Sequence, residues 1–241
     1  MNVIQPNCRI QFTAGDVEFV LSVLGTDGRA RECLVSLLAD EDTRDLILDD
    51  EALYRALLEQ RGWLRVSTHF YFYVLVRHVF KRTGLEDRTL ADYVAELLAE
   101  YSRTENMRAP AMNGGEALDY CFEMLAAMRE ADDCTRFLIQ AHIGNHSLFL
   151  TGIFPERIRF RTHRKASPDL KYYEELGRNS FRHASDHRLA RKYELTRIFG
   201  QLAESFAETR LALNDLTERL LSLGEPEPPL RTLVLPDSDV P

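Results

Sequence analysis

No long apolar run, no close cysteine pair and no glycine-rich phosphate loop occurs in these 241 residues. The longest unbroken apolar stretch, FYFYVLV (70–76), falls far short of the roughly 20 residues that a membrane-spanning helix needs. The four cysteines, Cys8, Cys33, Cys121 and Cys134, form no C-x-x-C pair; Cys33, Cys121 and Cys134 lie in or at the start of helical patterns, so buried free thiols and a reducing compartment are expected. The opening MNVIQPNCRI lacks the basic stretch and apolar run of a secretory signal, and we expect a cytoplasmic chain. P-loop, G-x-G-x-x-G and G-x-S-x-G patterns are missing, which leaves no motif for a nucleotide-binding fold or a serine hydrolase. No repeat of the solenoid kind is present. A formal net charge of −8 argues against a general nucleic-acid binder.

What the sequence does have is helical periodicity. Apolar residues make up 45% and charged residues 28%, enough for a sizeable core without disulfide or metal staples. Phe19, Val20, Val23 and Leu24 recur at helix spacing behind the cap candidates Thr13 and Asp16, and Gly25 stops the run. Leu90, Tyr93, Val94, Leu97, Leu98 and Tyr101 do the same further on. The stretch RVSTHFYFYVLVRHVFKRTG has strand-like composition, yet its length, Ser67 as cap and Gly84 as stop favour a helix. The expected fold is all-α, a multi-helix bundle of about nine helices. Residues 1–223 are expected to form a single helical domain, with a subdivision candidate at 107–115 and a disordered or loosely docked Pro-rich tail at 224–241.

Near the C-terminus, Leu195, Phe199, Leu202, Phe206, Thr209, Leu213, Leu216, Leu220 and Leu223 alternate steps of four and three. This heptad seam predicts one long helix, either packed along its length inside the bundle or paired with a second copy.

The stretch FLIQAHIGNHSLFLTGIF (137–154) sets polar groups in an apolar helix. Such groups must find partners or cost free energy. His142 and His146 are four residues apart, which puts both imidazoles on one helix face and makes them metal-ligand candidates. No E-x-x-H pattern accompanies them, and a hydrogen-bonded network is the competing reading. Gln140, His142, Asn145 and His146 are pocket candidates, joined by Tyr71 and His78 if the two helices face each other. The pair His183 and His187 has the same spacing but straddles a cap signal at Ser185 and Asp186. Ala141, Gly144, Leu148 and Gly152 form a narrow stripe on which a neighbouring helix can approach closely.

Charge is unevenly placed. Residues 156–192 hold eleven Lys and Arg against five Asp and Glu, a net +6 that leaves −14 on the remainder. Arg157, Arg159, Arg161, Arg164, Lys165 and Arg182 are anion-binding candidates. The competing reading is a solvated helix face, or an internal match to the acidic run DEDTRDLILDDE (40–51).

Three functions follow as expectations. The first is a non-enzymatic interaction or regulatory protein that binds a protein partner or itself through the basic segment and the heptad helix. The second is a bundle enzyme or sensor with a His/Asn-lined pocket. The third is a binder of a phosphorylated or acidic ligand, or of nucleic acid, at the basic patch. No cofactor is expected under the first, and a metal ion or haem under the second.

Overall fold

The computed structural model describes residues 3–59, 66–102, 121–165 and 168–222. The subdivision candidate at 107–115 and the tail at 224–241 lie outside them, as do the side chains of Arg164 and Lys165. All regular structure among the described residues is helical: one 3₁₀ turn (Cys8–Gln11) and thirteen α-helices, more than the nine expected. The excess comes from short helices that periodicity merges with their neighbours.

The first four are α1 (Ala14–Leu24), α2 (Gly28–Ala39), α3 (Glu41–Leu48) and α4 (Glu51–Glu59). Thr13 and Asp16 close a reciprocal capping box on α1, and Asp27 and Asp40 cap α2 and α3. Asp16 does more than cap. Its carboxylate also accepts from Ser67 N at 2.6 Å and Ser67 Oγ at 2.8 Å, tying the start of α1 to the start of α5 (Thr68–Arg82).

The strand-like stretch is therefore helix α5, and its composition has a physical reason. Every residue from Phe70 to Arg77 is buried, so aromatic and β-branched side chains cover all sides of an enclosed helix rather than one stripe. Helix α6 (Arg88–Tyr101) is buried almost throughout and packs along α5. Arg77 on α5 donates from Nε and Nη2 to Asp49 at 2.8 and 3.1 Å, and Arg88 adds a third bond at 2.9 Å.

After α7 (Cys121–Ala127) comes α8 (Asp133–Ile153), then α9 (Pro155–Lys165), α10 (Leu170–Asp186) and α11 (Arg188–Lys192). Helix α8 packs chiefly against α10 and against α13 (Phe206–Ser222). Its small-residue stripe is used there. A Cβ on Gly144 would lie 2.7 Å from the Phe181 ring, and one on Gly152 would lie 2.8 Å from Leu213.

The long heptad helix is interrupted. It divides at Ser205 into α12 (Thr196–Glu204) and α13. Ser205 turns its N–H and its hydroxyl back onto the Gln201 carbonyl, at 2.8 and 2.7 Å, and leaves helical geometry. The seam from Leu195 to Leu220 is buried within the chain, where α10, α8, α6 and α5 cover α12 and α13. The seam is thus an internal packing surface. One core cluster contains Phe72 and Tyr93 together with Phe149, Phe199 and Leu213.

Candidate functional site

The polar face of α8 meets α6 and α7. His142, Asn145 and His146 are buried, and Gln140 is half-buried. Two residues of α6, two helical turns apart, reach across. Tyr93 Oη donates to Asn145 Oδ1 at 2.8 Å, and Tyr101 Oη lies 3.3 Å from His142 Nδ1. From α7, Cys121 Sγ lies 3.8 Å from His146 Nδ1. The two imidazoles stack with centroids 5.9 Å apart and planes 23° off parallel.

Burial keeps His146 and Cys121 uncharged at neutral pH. It holds the His146 imidazole down at about 3, helped by His142, and pushes the Cys121 thiol up to about 11. Burial also raises the Tyr93 and Tyr101 phenols. His146, Cys121 and the two phenols are thus neutral donors and acceptors. Among the described residues, no group of three or more His, Cys, Asp or Glu is arranged to hold a metal ion. The His142–His146 pair engages both Nδ1 atoms with α6 and α7.

Tyr71 and His78 do not join this face. Helix α5 packs against α6, α13 and α4, whereas α8 takes α10, α13, α9, α6 and α7. His78 lies flat on Tyr54, with ring centroids 3.7 Å apart, and Tyr71 meets Phe72 edge-on. The expected facing of these two helices fails because α6 lies beside α5 and supplies the tyrosines that meet the polar face. His183 and His187 are likewise separated. His183 is exposed near the end of α10, while His187 caps α11 and pairs with Asp133 at 3.0 Å.

The basic candidates divide in the same way. Arg157, Arg159 and Arg161 share α9, which buries only Ile158 among its described side chains. Arg159 and His163 are exposed, and Phe160 is 55% exposed. Arg182 sits elsewhere. It follows Phe181, which packs on Gly144, whereas α9 follows the far end of α8, about 14 Å along the helix axis. The acidic run 40–51 turns Asp45 and Asp49 to Arg9, Arg77 and Arg88, so those two carboxylates do not neutralise α9.

One cleft went unread in the sequence. It has a volume of about 570 Å³ and lies between the N-terminal segment and α6, with Gln11, Glu96, Glu100 and Tyr193 in its lining. Glu96 has a side-chain exposure of 6%; both its oxygens accept from Gln11 Nε2 at 3.1 Å, and His69 Nε2 stands 3.7 Å away. Burial pushes the Glu96 carboxyl up to about 7, and Glu100 and Asp92 add to it. A carboxyl poised near neutrality can take or release a proton in that cleft. The available signal was the spacing of Asp92, Glu96 and Glu100, three acids one turn apart on a largely apolar helix.

Compared with protein-family models, curated proteins and solved structures, the chain matches none.

Proposed function

We propose that this chain is a helical interaction protein that engages an acidic protein surface through α9. The observation that carries this reading is how little of α9 is buried in its own fold. Of its nine described side chains only Ile158 is buried, while Arg159, Phe160 and His163 face solvent and Arg157 and Arg161 are half-exposed. A helix kept for packing alone has an apolar stripe more than one residue wide. An exposed aromatic set among arginines is the composition enriched at interface centres. The polar face of α8 supports a different role, since its groups hydrogen-bond across to α6 and α7 within the core.

A fluorescent oligoglutamate peptide tests the reading by anisotropy. Binding is expected at 50 mM salt, with at least tenfold weakening at 300 mM. Arg157→Glu, Arg159→Glu and Arg161→Glu together should abolish it while the circular dichroism spectrum stays helical. Failure of the wild type to bind, or indifference to the triple reversal, overturns the proposal. Tighter binding to duplex DNA than to oligoglutamate would favour the nucleic-acid reading instead.

A further inference from the structure

We infer that residues 224–241 of the same chain dock on α9 and must be displaced before another acidic surface binds there. This rests on α9 being the interaction surface and names how that surface is regulated.

Arg157, Phe160 and Arg161 share one side of α9, at helical steps of three and one. Phe160 is exposed and the two arginines are half-exposed. The one acid of α9, Glu156, pairs with Arg159 on the other side of Phe160. On α10, against which α9 packs, Glu174 bonds to Arg178 and Arg210, and Glu175 pairs with Lys171. Those two acids are engaged within α10 and with α13 rather than with α9. The tail carries the complementary pattern. Glu225 and Glu227 precede, and Asp237 and Asp239 follow, the apolar Leu230, Leu233, Val234 and Leu235, with Arg231 as the single base. Carboxylates on either side of an apolar centre match an aromatic ring among arginines in both charge and burial.

Helix α13 delivers the tail to the end of the bundle that carries α9. A Cβ on Gly177 would meet both Phe206, at the start of α13, and Ser147 on α8. Seven residues on, Leu213 lies against Gly152, and Asn214 Nδ2 donates to the Thr151 and Gly152 carbonyls at 2.9 and 2.7 Å. Helix α13 therefore runs in the same direction as α8, and at Leu213 it is level with the place where α9 departs, three residues later at Pro155. It ends at Ser222, about 14 Å farther along its axis. Glu225 follows three residues beyond. An extended chain spans about 3.5 Å per residue, so the eighteen tail residues can reach every part of a helix about 16 Å long. So short a tether holds the tail near α9 at an effective concentration on the order of millimolar, which fills a weak contact in cis before a separate molecule does.

Limited trypsin digestion of the full chain tests this, because Arg231 is the one cleavage site in the tail and its product is read by intact mass. Rates are taken relative to a synthetic 224–241 peptide, which corrects for the effect of salt on the protease. Cleavage after Arg231 should be at least tenfold slower in the wild type than in the peptide at 50 mM salt, and equal to it at 500 mM. Arg157→Glu/Arg159→Glu/Arg161→Glu and Glu225→Gln/Glu227→Gln/Asp237→Asn/Asp239→Asn should each lose the protection at 50 mM salt. The tail variant, which leaves α9 intact, should also bind oligoglutamate at least fivefold tighter than the wild type. A wild type cut as fast as the peptide at low salt overturns the inference without needing any variant. Protection that survives in either folded variant, or that rises with protein concentration, also overturns the contact in cis. An unprotected wild type that still binds oligoglutamate leaves the role of α9 standing and removes only the tail as its occupant. Failure of the tail variant to bind oligoglutamate overturns both.

Discussion

Tyr93 on α6 and Asn145 on α8 share a 2.8 Å hydrogen bond with no solvent at either end. Tyr93→Phe should leave the Asn145 oxygen buried without its donor and cost about 1–3 kcal/mol. Urea denaturation should show a lower midpoint at unchanged slope. Tyr93→Phe with Asn145→Leu should lose less than the two single changes summed, because both partners of the bond are then gone.

The glycines of helices α8 and α12 should respond in opposite directions. Gly144→Ala pushes a methyl to 2.7 Å from the Phe181 ring and should destabilise by about 1–3 kcal/mol. Gly200→Ala meets nothing within 4 Å and should stabilise by up to about 1 kcal/mol through helix propensity. Thermal unfolding of the two variants beside the wild type reads both signs.

Two buried groups tilt stability with pH in opposite ways. His146 is held neutral down to about 3, so below pH 6.5 the unfolded chain binds a proton that the folded one refuses. Its share of stability is complete above pH 6.5 and falls, by up to about 1.4 kcal/mol per unit, as pH drops toward 3. Glu96 does the reverse. Its folded carboxyl keeps a proton up to about 7 while the unfolded one ionises near 4.5, so stability falls as pH rises between them. His146→Gln should flatten the acid loss, and Glu96→Gln should raise stability at pH 8 relative to pH 4.5. Chemical denaturation across pH 4–8 measures both slopes.

Asp49 joins α3 to α5 and α6. Burial raises its carboxyl, but the Arg77 bond and the charges of Arg77, Arg88 and Lys81 outweigh that and hold it below the usual range. Asp49→Asn should leave Arg77 buried without its counter-charge and cost about 3–5 kcal/mol. The wild type loses this contribution as pH falls through the folded pKa of Asp49, and the variant should lack that loss. Equilibrium unfolding at pH 7 and pH 3 distinguishes them.

The legible parts of the fold were those written in local chemistry. Thr13 with Asp16, and Ser67, cap the helices they were read to open, because a cap involves residues three apart. The packing role of Gly144 and Gly152 was also legible, since small residues at helical spacing have few other uses. The partners of the α8 polar face were not. Tyr93 and Tyr101 are more than 40 residues from His142 and Asn145 in sequence, and nothing local marks a tyrosine as the one that will meet a given histidine. Glu96 was masked by its own helix, where apolar neighbours dominate the pattern.

The sequence by itself determined the helical class and the basic character of 156–165. Each depends on spacing within a few turns or on charge carried by covalent structure. Tertiary structure alone decided that the heptad seam is buried within the chain, that α6 rather than α5 meets the α8 face, and that Asp45 and Asp49 turn inward while Glu41 and Asp42 stay in water. The reason is common to all three. An amphipathic helix specifies that a face must be buried, whereas which neighbour buries it depends on how all the faces fit together in one core.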